Sequence, residues 1–118
     1  MKIAIMLSRF NGTIGKKLYE KTYETLIKNG VLKKNIQFFQ VPGALELPIF
    51  AKKIAQTKKF NAIIALGVII QGETPHFEHV SRETYAGLMK INLETEPPII
   101  FGVLTVKKEK HAEKRIKN

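Results

Sequence analysis

Residues 68–76 (VIIQGETPH) are the part of this sequence best suited to chemistry. An apolar run leads into Gly72, where the backbone can come close to a ligand, and then into a predicted helix start. Free backbone N–H groups at a helix start favour an anion, above all a phosphate. The carboxylate of Glu73 opposes this unless it points away, and Thr74 could simply cap the helix. The residues alone leave both an anion site and a plain capped loop open.

His76 follows this loop directly and is the candidate for proton transfer near neutral pH. The alternative is a histidine that is structural or merely exposed. His79 comes one helical turn later, a spacing that can hold zinc, but no third ligand is evident in the sequence. The residues alone leave both roles of His76 open, and we expect no metal site.

Two further candidates lie in other predicted loops. Glu46 follows Pro42-Gly43 at a helix start, where its carboxylate could accept hydrogen bonds from a polyol or amine, or only complement the helix dipole. Phe10 follows the first apolar run, and its ring could stack on a planar ligand or only cover the core. Residue type alone does not decide between these alternatives.

Apolar periodicity predicts four strands that alternate with four helices. The predicted strands are residues 2–8, 35–41, 61–70 and 99–104. The predicted helices are residues 14–29, about 44–58 with Pro48 in the first turn, about 76–93, and 107 to the end. This order predicts an α/β fold, a three-layer α/β/α sandwich around a four-stranded parallel sheet. Ligands bind beyond the carboxyl ends of such strands, which is where the candidates lie.

Composition narrows the class of protein. With 118 residues the chain is long enough for one domain, and it has no cysteine for a disulfide or thiolate metal site. The net charge of +10 raises nucleic acid as a partner, but nearly all of it is lysine scattered over predicted helix faces and turns. No apolar run is long enough to span a membrane. We expect a cytoplasmic protein that binds small molecules, with neither nucleic acid nor membrane as a partner.

Several segments together resemble the lumazine synthase family. They are Arg9-Phe10-Asn11, residues 41–48 (VPGALELP), residues 65–80 (ALGVIIQGETPHFEHV) and residues 101–105 (FGVLT), with a weaker match at residues 111–115 (HAEKR). The match runs in order over nearly the whole chain. Each motif alone is weak, but their combination is specific.

The resemblance implies flavodoxin-like topology and a cofactor-free transferase. Its reaction would condense 5-amino-6-(D-ribitylamino)uracil with 3,4-dihydroxy-2-butanone 4-phosphate to give 6,7-dimethyl-8-ribityllumazine, phosphate and water. His76 would shuttle protons. The pyrimidine and its ribityl chain would be bound by Phe10, Ala44, Leu45, Glu46, Val68, Ile69, Ile70 and Phe101. The sugar phosphate would be bound by Glu73, Thr74 and Arg115.

The resemblance also implies a homo-oligomer, a pentamer or a shell of pentamers, in which Phe101 and Arg115 complete a neighbour's site. Residues 1–118 would form a single domain that lacks the family's usual N-terminal segment and final C-terminal helices. Gln71 stands where the family usually has arginine. The alternatives are a riboflavin synthase-type enzyme on the same scaffold, a non-catalytic shell-forming homologue, and a basic nucleic-acid module.

Overall fold

The computed structural model describes residues 1–9, 14–71 and 76–117 of the chain. Strands and helices alternate in the predicted order. The strands are β1 (Ile3–Ser8), β2 (Ile36–Val41), β3 (Ala62–Ile70) and β4 (Ile99–Val106). The helices are α1 (Ile14–Lys28), α2 (Leu47–Gln56), α3 (Phe77–Glu94) and α4 (Glu109–Lys117). Short 3-10 turns over Lys33–Asn35 and Ala44–Glu46 precede β2 and α2.

All four strands pair in parallel in one sheet, in the order β2-β1-β3-β4. This is the flavodoxin-like order that the resemblance implied. The chain moves outward from β1 to β2 and then returns to the other side of β1 to form β3. The strand order therefore reverses between β1 and β3, and in an open parallel sheet ligands bind at the carboxyl ends beside such a switch point.

Helices cover the sheet on both faces, which confirms the predicted three-layer sandwich. Successive side chains of a strand point to opposite faces, and β3 is buried on both. Its residues Ile63, Ala65 and Ile69 join the core cluster that contains the buried residues of α2 and α3. The alternate residues Ile64, Leu66, Val68 and Ile70 pack on the opposite face, on the side of α1 and α4.

The length of β3 shapes the carboxyl edge of the sheet. Its pairing with β1 ends at Leu7 and Leu66, whereas its pairing with β4 continues to Ile70 and Val106. Residues 67–70 therefore extend beyond the last residue of β1 that pairs with β3, over about 13 Å at the usual rise per strand residue. We call these four residues the β3 tail.

The predicted second helix was wrong in its bounds. Residues 44–46 form a 3-10 turn, and α2 occupies only Leu47–Gln56. Pro48 lies in the first turn of α2, where the missing N–H costs nothing because the first N–H groups of a helix have no partner within it. Lys58 has a left-handed φ of 57°, a conformation that stops a helix, so residues 57–58 are not helical.

No helix in the described part of the chain is both long and apolar enough to cross a membrane.

Candidate active site

The 3-10 turn Ala44–Glu46 lies at the carboxyl edge of the sheet and packs against both β3 and α3. Ala44 contacts the core cluster on the α2–α3 face and anchors the turn. Leu45 is 45% exposed and Glu46 is half-buried, so both remain accessible to a ligand. The turn therefore brings two of the predicted ribityl-binding residues to the corner between β3 and α3.

Glu46 is the residue that caps α2, but its side chain makes no capping hydrogen bond. One carboxylate oxygen, Oε1, comes within 3.3 Å of the place that a Cβ on Gly43 would occupy. The carboxylate thus folds back over Gly43, where the absent side chain leaves it room. The positive end of the α2 dipole stabilises this charge without using its hydrogen-bonding capacity. This arrangement suits an acceptor for ligand hydroxyls.

The side chains of the β3 tail are not available to a ligand. Val68, Ile69 and Ile70 are each at most 5% exposed and are packed in the core on alternating faces. Only the backbone of this tail could contact a ligand, which agrees in kind with the backbone role that the resemblance implied. Gln71, directly after the tail, is exposed.

A close approach of β1 and β3 marks the base of the β3 tail. A Cβ on Gly67 would stand 2.6 Å from the hydroxyl oxygen of Ser8 and 3.6 Å from a methyl carbon of Leu47. Ser8 is buried at the end of β1. A glycine is therefore required where β1, β3 and the start of α2 meet beside the switch point.

His76 is the N-cap residue of α3. Its carbonyl accepts the hydrogen bond of the Val80 N–H at 2.9 Å, and its side chain is exposed and forms no cap. The next residue, Phe77, packs against the core and fixes the helix start. The imidazole consequently lies on the solvent side at the start of α3, where it can exchange protons with a bound molecule and with water. The described residues contain no cluster of three or more metal-binding side chains.

Contact between α2 and α3 sets the relative positions of the two helices that begin after Glu46 and His76. A Cβ on Gly87 of α3 would stand 2.6 Å and 2.9 Å from two ring carbons of Pro48 in α2. Because that ring is held by the backbone, even a methyl group at position 87 would push the helices apart. Sequence reasoning missed this contact, although a glycine inside a predicted helix is a recognisable signal of close packing.

Phe101 and Arg115 lie on β4 and α4, at the edge of the described sheet. Phe101 pairs with Ala65, five residues before the end of β3, or roughly 17 Å along the strand. Arg115 is exposed on α4, and its guanidinium lies 3.5 Å from the carbonyl oxygen of Thr105. Phe101 therefore lies well before the end of the β3 tail, and it packs against the core cluster that Ala44 also contacts. Three other predicted site residues, Phe10, Glu73 and Thr74, lie outside the described residues.

A cavity of about 470 Å³ lies at the other, amino end of the sheet. It is lined by Ala55, Gln56, Lys58, Phe60, Asn61, Glu94, Thr95, Glu96 and Pro97. It is larger than a second cavity of about 330 Å³ beside Ser8 and Tyr19. The pKa of Tyr19 is raised, mainly by burial and to a lesser extent by the neighbouring Tyr23. The 470 Å³ cavity is not the candidate site despite its size. Parallel sheets bind ligands at their carboxyl ends, and none of the predicted site residues lines this cavity.

Comparison with known proteins supports the fold and shows the family. A de novo designed Rossmann fold protein superimposes with a TM-score of 0.55 at 17% identity, over 99% of this chain and 95% of that one, which supports the fold alone. A 6,7-dimethyl-8-ribityllumazine synthase of Chlorobium phaeovibrioides is 45% identical over 114 residues, 97% of this chain and 74% of that protein. The family model described as 6,7-dimethyl-8-ribityllumazine synthase matches residues 1–118. The chain therefore belongs to the 6,7-dimethyl-8-ribityllumazine synthase family.

Proposed function

We propose that this chain is a lumazine synthase, a transferase of riboflavin biosynthesis that condenses 5-amino-6-(D-ribitylamino)uracil with 3,4-dihydroxy-2-butanone 4-phosphate. The amine of the pyrimidine attacks the ketone and forms an imine with loss of water. Phosphate is then eliminated, and ring closure with loss of water gives 6,7-dimethyl-8-ribityllumazine. No external oxidant, reductant or cofactor is needed for this sequence of steps.

One observation carries the proposal. The turn with Glu46, the β3 tail with only its backbone to offer, and the start of α3 with His76 all lie at the carboxyl edge of the sheet, and the turn packs against both β3 and α3. This corner lies beside the point where the strand order reverses. A reaction between two bound molecules needs mainly that they be held together, and such positioning supplies much of the rate.

Each residue of the corner has a role in this proposal. Glu46 accepts hydrogen bonds from the ribityl hydroxyls, and Ala44 and Leu45 form the surface along which that chain lies. The backbone of residues 68–70 meets the polar edge of the pyrimidine. His76 moves protons during imine formation and elimination. Phe10 is assigned to the pyrimidine ring, and Glu73 and Thr74 to the phosphate, by resemblance.

The proposal includes a cytoplasmic homo-oligomer, a pentamer or a shell of pentamers. Its support is that the resemblance assigns Phe101 and Arg115 to a neighbour's site, and that these residues lie on the edge strand β4 and on α4, which packs against β4. In a ring of identical subunits the contact is head-to-tail, so one chain's β4–α4 edge can meet the next chain's corner. Phe101 would then wall the pyrimidine pocket, and Arg115 would bind the sugar phosphate.

The test is to mix the two substrates with the protein and to follow the absorbance and fluorescence of the lumazine product together with phosphate release. Product formed faster than in the protein-free mixture supports the proposal. Equal rates would show a non-catalytic homologue. If riboflavin forms instead when the protein is given 6,7-dimethyl-8-ribityllumazine alone, the protein is the riboflavin synthase-type enzyme.

A further inference from the structure

The β4 strand is the edge of the described sheet, so half of its backbone groups point away from β3. The N–H of Ile63 donates to the carbonyl of Pro98, which fixes the hydrogen-bonding phase of this strand pair. Alternate residues of a parallel strand bond to the same neighbour, so the carbonyls of Phe101, Val103 and Thr105 face outward. Such carbonyls need other partners or water.

Two side chains from different helices satisfy two of these outward carbonyls. The hydroxyl of Tyr85, on α3, donates a hydrogen bond to the carbonyl of Val103. The guanidinium of Arg115, on α4, lies 3.5 Å from the carbonyl of Thr105. The free edge of β4 is thus held from both faces of the sheet, more strongly on the α3 side.

Tyr85 also contacts Phe101. The two ring centroids are 6.1 Å apart with the planes inclined by 42°, within the range of a favourable aromatic pair. Phe101 and Val103 are two residues apart on β4, and both belong to the face that packs against α3. Tyr85 therefore touches the Phe101 ring and, through its hydroxyl, holds the backbone that carries this ring.

We propose that Tyr85 is a positioning residue for the pyrimidine substrate: its hydroxyl bond to Val103 and its ring contact fix the Phe101 ring where a neighbouring subunit's substrate stacks. This rests on the proposed function, because it takes the role of Phe101 from there. Tyr85 is itself half-buried and packs against the core cluster. It acts through Phe101 and not on the reacting atoms.

The experiment compares Tyr85→Phe, Phe101→Leu and the double variant with wild type, with kcat and both KM values measured for each. Tyr85→Phe keeps the ring and removes only the hydroxyl. We expect it to raise the KM for the pyrimidine roughly 3- to 10-fold, the effect of losing one hydrogen bond. The KM for the sugar phosphate and kcat should stay within about twofold, since uniform binding of one substrate is what is lost. Tyr23→Phe, on α1 at the opposite face, is the matched control and should change nothing.

The double variant separates positioning from general loosening. If Tyr85 acts through Phe101, the double variant should have the pyrimidine KM of Phe101→Leu alone, because coupled residues are not additive. Additive effects, an unchanged pyrimidine KM in Tyr85→Phe, or a parallel rise of both KM values with a lower melting temperature would each overturn the inference.

The same data show which proposal fails. Wild-type protein that makes no lumazine removes the proposed function and this inference with it. Active wild type in which Phe101→Leu leaves the pyrimidine KM unchanged removes Phe101, and therefore Tyr85, from the site while the reaction stands. Active wild type in which only Phe101→Leu has an effect removes Tyr85 alone.

Discussion

The corner at the carboxyl end of β3 and the outer edge formed by β4 and α4 differ in how they hold their predicted site residues. At the corner, Glu46 and His76 lie on elements of one chain that pack together: the 3-10 turn packs against α3, and Gly87 of α3 packs against Pro48 of α2. At the edge, Phe101 and Arg115 are anchored to outward-facing backbone through Tyr85 and Thr105. The corner is built from a turn, a strand end and a helix start, whereas the edge is the outermost strand of the described sheet with α4, where Phe101 is half-buried and Arg115 is exposed.

This difference indicates that the two regions contribute differently to the proposed site. A corner made by one chain can hold the polar part of a substrate and place a proton-transfer group beside it. An outward edge is useful only if something approaches it, and a second copy of the chain supplies that in a head-to-tail ring. Variants at the corner should therefore impair each subunit by itself, whereas variants at the edge should impair only its neighbour.

Glu46→Gln should give the largest effect on binding. A charged acceptor bonded to hydroxyls contributes roughly 1.5–3 kcal/mol, so the ribityl-bearing substrate should bind roughly 10- to 150-fold more weakly. The sugar phosphate should be much less affected. Isothermal titration with each substrate or a close analogue measures both losses. Because the carboxylate makes no capping hydrogen bond, its removal should cost α2 only the dipole interaction, about 0.3–1 kcal/mol. Equal losses for both substrates would instead assign Glu46 to the fold.

His76→Ala should lower kcat and leave the binding of a pyrimidine analogue nearly intact. General acid–base help is typically worth about 10²–10⁴ in rate, and we expect the low end or less because the uncatalysed condensation is itself facile. His79→Ala is the matched control, since His79 is also exposed and lies one turn further along α3. A turnover number that is unchanged in His76→Ala, or equally reduced in both variants, would remove His76 from the mechanism.

Much of the fold follows from the sequence because the apolar runs are unambiguous. β3 is apolar on both faces and could only be a central parallel strand, as found. The predicted bounds of α2 were wrong for a local reason. The apolar pattern of residues 44–58 is helical throughout, but Pro48 restricts where the helix begins, and Lys58, with its left-handed φ, lies beyond the end of the helix. Apolar periodicity predicts well which face of an element is buried, but it predicts poorly at which residue a helix ends.

The predicted site residues also differ in how far the sequence pattern could identify them. Glu46 and His76 could be singled out from sequence because parallel strands bring their carboxyl ends to one edge, whatever the loops contain. Phe101 lies inside a strand and Arg115 on a helix, so pattern predicts only core packing and solvent for them; resemblance alone pointed to them. Tyr85 gave no signal, because its partner is a backbone carbonyl 18 residues away that becomes available only when β4 forms the edge of the sheet.

Arg115→Ala tests the edge directly. It should raise the apparent KM for the sugar phosphate about 10-fold, toward the low end for a charged hydrogen bond because this side chain is exposed, and should spare the pyrimidine. Steady-state kinetics with each substrate varied in turn measures both. Lys114→Ala, the adjacent exposed cation, is the control and should leave both KM values unchanged. A similar rise in Lys114→Ala would indicate a general effect of positive charge rather than a specific phosphate contact.

Mixing two defective proteins gives the smallest expected signal and decides most sharply between the corner and the edge. His76→Ala damages the corner of a chain and leaves its edge whole, and Arg115→Ala does the reverse. If each site takes its corner from one chain and its edge from the next, subunit exchange between the two proteins creates some sites with both parts intact. In randomly mixed head-to-tail rings, about one site in four joins an intact corner to an intact edge, so activity should approach a quarter of the wild-type value.

Exchange must be shown independently, for example by native mass spectrometry of rings with one parent isotopically labelled. If each chain instead built its whole site alone, every subunit in every mixed ring would still carry one defect, and activity would stay at the mean of the two parents. That result with exchange demonstrated would contradict a site shared between subunits, and would leave Phe101 and Arg115 without a role in a neighbour's site.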